Sequence, residues 1–421
     1  MTMRSDTGCP VSDADPFSHE TLEDPAQFHH TLREAGPVLY LSRYDVYALG
    51  RYEQVHAALN DWRSFESGAG VGLSNFRHES PWRPTSLLLE ADPPIHDAPR
   101  VVLASILSTR ALRTLRASWF AAAHELVAEL VARQTVDGVR DIAQVFPLRV
   151  FPDAVGLGPD GRENLLPYGD HLFNTFGPKN ELVRRGLPSI AAISNWVDTQ
   201  CRRENLAACL ADGTPTFGAQ IWAAADRGDI TAAQAPLVVR SLLSAGVDTT
   251  VQSLAAVLHS LATHPDQWDL LRDNPALIRV AFDEAIRFES PVQTFFRTAT
   301  RDIRVSDAVV PAGKKILMFL GAANRDPRRW DAPDQFDLSR DPSGHVGFGM
   351  GIHQCVGQHI ARMEAEALLS ALVKYVGRIE LSAPACRHHN NTLRSLASLP
   401  LTLASAGVQS SPNAVASGGV L

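Results

Sequence analysis

The chain has 421 residues, of which 45% are hydrophobic and 20% charged, with a formal net charge of −7. That balance fits a globular protein with a full core, and the acidic surplus argues against nucleic acid as a main partner. No uninterrupted apolar run reaches the roughly eighteen residues of a membrane span, no signal-type stretch opens the chain, and the cysteines are few and scattered; a cytoplasmic protein with no membrane contact and no disulfide framework is expected.

In chain order, residues 1–15 are polar and patternless and are expected to lack fixed structure. Residues 38–49 are apolar and β-branched around a turn near Ser42 and read as a strand pair. Arg83 and Ser86 follow, with Leu89 close behind, and His96 and Arg100 sit one helical turn apart. Residues 112–133 carry helical periodicity, preceded and overlapped by a basic stripe of Arg110, Arg113 and Arg116. Phe173 and Phe176 come next.

Residues 236–263 read as a long helix containing Ala245-Gly246-Val247-Asp248-Thr249-Thr250. A glycine and two threonines are poor choices inside a helix. The Thr249 hydroxyl can bond back to the Ala245 carbonyl and open the helix into a polar notch. Ser241, Ala245 and Thr249 lie four apart and share one face. Glu284 and Arg287 are three apart on a further helix and can pair. Val292, Phe295 and Arg297 follow, then β-type segments at 304–310 and 316–320. The tail from residue 405 to 421 is small, polar and without periodicity, and is expected to be disordered.

The most informative stretch is Phe348-Gly349-Met350-Gly351-Ile352-His353-Gln354-Cys355-Val356-Gly357, with a helix predicted directly after it. Glycines at 347, 349 and 351 let the backbone approach a flat ligand, and Gly357 leaves room beside the sulfur. A cysteine at a helix N-terminus is favoured as thiolate, the form that binds metal. A buried free cysteine after a glycine turn is the plain alternative. A nucleotide loop is the weaker one, because no βαβ unit and no acidic residue for a ribose accompany it.

This pattern, continued by Ala361 and Glu364, resembles the haem-binding loop of cytochromes P450. The resemblance implies a mainly α (α+β) fold, a helix-rich triangular prism with small β-sheets. Haem b would lie between the long central helix and the cysteine-loop helix. Although two or three domains are the prior at this length, it implies a single domain over 16–404, with 1–15 and 405–421 outside it. Cys355 would ligate the iron, Phe348 and Gly349 would line the cofactor, and His96, Arg100, Arg297 and His353 would hold its propionates, since buried carboxylates need cationic or N–H partners. Glu284 and Arg287, with Arg340 of Phe336-Asp337-x-x-Arg340, would lock the core behind the haem. Asp248 and Thr249 would deliver protons to dioxygen, with electron push from Cys355. The chain has no flavin or iron–sulfur motif, so electrons would come from a ferredoxin and its NADH-dependent reductase. The arginine stripe is either the ferredoxin-docking face or a solvated helix face. A monomer is expected.

The segments Pro81-Trp82-Arg83-Pro84-Thr85-Ser86-Leu87, Phe173-Asn174-Thr175-Phe176-Gly177-Pro178, Arg240-Ser241 and Pro291-Val292-Gln293-Thr294-Phe295-Phe296-Arg297 are similar to those of the P450 subgroup that oxidises para-substituted benzoates, typified by 4-methoxybenzoate O-demethylases. The chemistry is consistent with that. Arg83, Ser86 and Ser241 can bind a carboxylate, and Phe173, Phe176 and Phe295 can sandwich a ring. Leu89, Ala245 and Val292 would fill the remainder, leaving the para position towards the iron. Arg83 as a loop arginine and the phenylalanines as plain core are the structural alternatives. Arg240 either supports the anion site or faces solvent, and Lys179 and Met350 receive no role. Hydroxylation of a larger neutral molecule, such as a terpene or polyketide, is the alternative activity. A haem sensor or a peroxide-driven peroxygenase would not need Asp248 and Thr249.

Overall fold

The structure, a computed structural model, describes residues 8–406. The expectations for residues 1–7 and 407–421 lie outside the described residues. Helix Thr109–Arg133 starts at Ser108, whose hydroxyl accepts the Ala111 N–H at 3.3 Å. It buries Leu112, Leu115, Trp119, Ala123, Leu126 and Leu130 along one stripe, the spacing that amphipathic helices use to reach a core. The stripe packs against Gln358–Tyr375, the helix that follows the cysteine loop. That helix also packs on Ile278–Glu289, and both touch Asp248–Thr263 at the centre.

The helix expected over 236–263 is interrupted. It runs as Ala235–Ala245 and Asp248–Thr263, broken at Gly246 and Val247. Thr249 Oγ1 donates to the Ala245 carbonyl at 2.6 Å, and Thr250 Oγ1 to that of Gly246 at 2.9 Å. The two hydroxyls take up carbonyls next to the break. The same stretch corrects one expectation. By length and composition Ala235–Thr263 is long and apolar enough to cross a membrane, although 72% of its most apolar window is buried inside the fold. Isolated polar residues interrupt the run without lowering its average much, and a helix packed all round needs an apolar surface all round.

A six-stranded sheet lies beside the helices, in the order Val11–Ser12, Leu39–Leu41, Val46–Leu49, Lys315–Phe319, Thr294–Ala299, Phe65–Glu66. The strand pair at 38–49 is present and antiparallel, with Tyr40 opposite Tyr47. In Thr294–Ala299, Phe295 and Arg297 are two apart and both line the central cavity. Residues 8–15 depart from the expectation of no fixed structure. Val11–Ser12 pairs in parallel with Tyr40 and Leu41, and Cys9 is buried. Ser405, at the other end, closes strand Pro400–Ser405. Polar composition does not reveal a segment that is held by backbone bonds to a sheet edge.

Arg287 and Glu284 form a bidentate pair at 2.7 and 2.8 Å with both side chains fully buried. Arg287 also donates to the carbonyls of Asn324, Pro333 and Gln335, and Arg340 joins Glu284 at 3.2 Å. The pair thus ties helix Ile278–Glu289 to the loop that leads to the cysteine. Removing one partner leaves the other charge buried. Arg287→Met is expected to cost about 3–5 kcal/mol, read as a lowered denaturant midpoint. A midpoint within error of the parent would show the pair to be dispensable.

Candidate active site

The cysteine loop is built by backbone geometry. The Cys355 N–H donates to the Phe348 carbonyl at 2.8 Å, closing the loop on itself. Gly351 has a φ of 65°, and a Cβ there would lie 2.7 Å from the Leu59 carbonyl oxygen, so only glycine fits. Helix Gln358–Tyr375 starts directly afterwards, and the N–H groups of Gly357 and Gln358 point at the sulfur. Burial raises the Cys355 thiol above its ordinary range. Those two N–H groups and the guanidiniums of Arg100 and Arg362 oppose the rise without overcoming it. A metal at the sulfur would complete the shift to thiolate, because a coordinating thiol is deprotonated.

Above the sulfur lies a cavity of about 440 Å³. Its walls include Cys355, Phe348 and Gly349 from the loop, and Ala245 and Thr249 from the broken helix. Its size and closeness to the sulfur suit a flat prosthetic group plus a small ligand. Arg297 is 3% exposed, and its hydrogen bond goes to the neighbouring Phe296 carbonyl at 2.9 Å. Burial lowers it to about 10, with Asp92 pulling the other way. Arg100 donates to the Gln354 carbonyl at 2.6 Å, and His96 is 2% exposed with its Nε2 unpartnered among the described residues. Spare donors on two buried or half-buried guanidiniums and a free ring nitrogen on His96 are what two propionates would take up, so these residues fit haem. His353 differs from the other three. Its Nδ1 lies 3.1 Å from the Leu88 carbonyl and its Nε2 3.2 Å from Asp92 Oδ1, so both nitrogens already have protein partners.

The substrate candidates also meet in this cavity: Arg83, Ser86, Leu89, Phe173, Phe176, Ser241, Ala245, Val292 and Phe295 all line it. Phe176 is 5.5 Å from Phe173 and 5.9 Å from Phe295, ring to ring, and forms an aromatic box with them. Arg83 lies over the Phe176 ring at 4.7 Å. It is not a free cation. Glu90 holds it through two contacts of 2.7 and 2.5 Å, both side chains being almost fully buried. Glu90 also accepts the N–H groups of Val71 and Ser86 at 3.2 Å each. The Arg83 Nε is buried and unpartnered among the described residues, one donor left for a ligand. The Ser86 hydroxyl accepts the Leu88 and Leu89 N–H groups, and that of Ser241 donates to the Leu237 carbonyl. Arg240 donates to the Thr85 carbonyl at 3.0 Å, bracing the Arg83 loop. Lys179 sits 4.8 Å above the Trp82 ring, and Met350 lines the cavity.

Asp248 is 5% exposed, and its carboxyl is pushed up to about 7, by burial first and then by the negative charge of Asp170. Gln252 Nε2 donates to its Oδ1 at 3.2 Å. Sequence reasoning missed Glu90, Gln252 and Asp170 as members of this site. Glu90 carried a weak signal, being an acid in an otherwise apolar stretch after Arg83. Of the arginine stripe, Arg110 and Arg113 are exposed, whereas Arg116 is bound to Glu366 at 2.7 Å.

The Cytochrome P450 family profile matches residues 203–376. The chain is 52% identical over 397 residues to Cytochrome p450 CYP199A2 of Rhodopseudomonas palustris, covering 94% of this chain and 95% of that protein. It is 33% identical over 399 residues to the beta-dihydromenaquinone-9 omega-hydroxylase of Mycobacterium bovis, covering 92% of this chain and 78% of that protein. Among solved structures, CalO2 matches with a TM-score of 0.79 and 28% identity, covering 94% of this chain and 99% of that one.

Proposed function

Because the chain belongs to the cytochrome P450 family, and is therefore a haem b monooxygenase that takes electrons from a redox partner, we propose that it oxidises para-substituted benzoic acids. The reaction we assign is O-demethylation of 4-methoxybenzoate. The ether, O2, two electrons and two protons yield 4-hydroxybenzoate, formaldehyde and water. One observation carries the reading: a buried arginine with an unpartnered Nε sits against an aromatic box in the central cavity. A carboxylate at Arg83 gains a charge-assisted hydrogen bond, worth roughly 1.5–3 kcal/mol. The planar ring fills the space between Phe173, Phe176 and Phe295.

Haem b, when bound, supplies the binding and reductive activation of O2. Cys355 would hold its iron, and His96, Arg100 and Arg297 its propionates, with His353 reaching a propionate only by giving up Asp92. Phe348 and Gly349 would form its proximal cover. Asp248 would hold a proton near neutral pH, and Thr249 would pass it into the notch beside Ala245. Thr249→Ala is expected to keep substrate affinity within about twofold. Product per NADH should fall by about tenfold or more, with peroxide making up the difference. Unchanged coupling would remove Thr249 from the mechanism. We assign the electron donor as a ferredoxin that docks on exposed Arg110 and Arg113.

Glu90 favours a second reading. It already neutralises Arg83, so a larger neutral substrate would meet no net charge at that wall. An optical titration with 4-methoxybenzoate, its methyl ester and its amide separates the two. The acid alone should bind tightly, and the meta isomer should bind yet give little product. Equal affinity for acid and ester overturns the benzoate assignment in favour of the neutral substrate.

A further inference from the structure

Outside the cavity, one titratable cluster touches the site from the solvent side. His388, in strand Cys386–His389, has a side chain that is 47% exposed. Its Nε2 lies 2.8 Å from Asp170 Oδ1, on helix Leu165–Asn174, and the Asp170 side chain is 33% exposed. Asn390 Nδ2 binds the same Asp170 oxygen at 2.8 Å, and Asn174 binds the other at 3.3 Å. Residue 169, just before Asp170, is glycine. A Cβ there would lie 2.7 Å from Asp248 Cβ and 3.4 Å from Asp248 Oδ2. The missing side chain lets the buried acid press against the backbone that carries Asp170. Exposure thus falls stepwise from His388 through Asp170 to Asp248, across three elements far apart in the chain.

We propose that His388 and Asp170 are the solvent-side entry of the proton path that recharges Asp248. A solvent proton binds His388 Nδ1, and the proton on Nε2 passes to Asp170 Oδ1. Asp170 then supplies Asp248, which packs against the adjoining Gly169 backbone. Each step breaks one N–H or O–H bond and makes one; the ring is left as its Nδ1–H tautomer, and it is reset when the Nδ1 proton returns to solvent and Nε2 is protonated again. The inference rests on the reading of Asp248 and Thr249 as the inner relay. The surrounding charges agree with it. Asp170 raises Asp248 and His388 lowers it, so both lie close enough for their charges to be felt there. His388 is itself raised, first by its bond to Asp170, then by the charges of Asp170 and Asp248, against burial and Arg185. Neighbouring His171 is lowered by burial, with Asp170 opposing. An imidazole raised by a carboxylate partner is charged over more of the neutral range.

The test uses the haem-loaded protein and its Asp170→Asn, His388→Gln and Asp248→Asn variants. His389→Gln is the control, since that neighbour pairs with Glu23 instead. Infrared titration follows the carboxyl band that disappears in Asp248→Asn. Its midpoint should move down in Asp170→Asn, where a like charge is lost, and up in His388→Gln, where a cation is lost. His389→Gln should leave it in place. In turnover, Asp170→Asn and His388→Gln should lower product per oxygen consumed by at least about threefold and enlarge the solvent deuterium isotope effect, with substrate affinity unchanged. Midpoints and isotope effects equal to the parent's in both variants overturn the proposal while leaving Asp248 in its role. Should Asp248→Asn itself leave coupling and isotope effect unchanged, the inner relay is wrong and the entry falls with it. His388 is half-exposed, so its variant remains informative if Asp170→Asn folds poorly.

Discussion

Cys355→Ser is expected to abolish both turnover and the red-shifted Soret band that reduced, carbon monoxide-bound thiolate haem displays. The reason lies in what surrounds the sulfur. It is half-buried at a helix start, with two N–H groups and two guanidiniums acting on it. Burial alone disfavours an anion there, so the anion persists only where a metal rewards it. A serine hydroxyl begins several pH units further from ionisation and is a harder donor, so the same surroundings cannot keep it as a strong ligand. The measurement is the reduced carbon monoxide difference spectrum, together with haem content per chain. Retention of the band by the serine variant would remove Cys355 as the ligand.

The second large effect is expected at Arg83, and the structure changes its form. From the sequence, Arg83→Ala is a binding mutation: loss of a charge-assisted bond should weaken 4-methoxybenzoate by at least about tenfold, about 1.4 kcal/mol. In the fold it is also a stability mutation. Glu90 is buried at 1% side-chain exposure and Arg83 is its cation, so the alanine variant strands a carboxylate in the core. Breaking such a pair costs about 3–5 kcal/mol, and the two N–H groups from Val71 and Ser86 offset only part of that. The two effects separate in the Arg83→Met, Glu90→Gln double variant, which should regain most of the stability and none of the affinity for the acid. Glu90→Gln alone should tighten acid binding, because Arg83 then faces the ligand with its charge uncancelled. Thermal unfolding and optical titration of the parent, Arg83→Met, Glu90→Gln and the double variant give the full cycle. Parent-like affinity for the acid in the double variant would sink the carboxylate anchor.

What could be read from the sequence was whatever is written in contiguous residues. The glycine-flanked cysteine ahead of a helix, the Glu284–Arg287 spacing and the threonines beside Gly246 are short patterns whose resemblance to the P450 family implied the fold and the haem chemistry; the threonines also announced a local opening of the central helix, though not its division into two helices. Tertiary structure decided the charge partners. Arg83 and Glu90 are seven apart in a stretch with no periodicity, and only the folded loop turns them into a buried pair. His388 and Asp170 are 218 residues apart, and nothing in either neighbourhood announces the other. Tertiary structure also gave both nitrogens of His353 to Leu88 and Asp92, and pinned Val11 and Ser12 to a sheet edge. All four depend on groups distant in the chain, and for the buried Arg83–Glu90 pair the physical reason is plainest. Backbone geometry is governed by near neighbours in the chain, whereas the energy of a buried charge is governed by whatever the fold brings within a few ångströms of it.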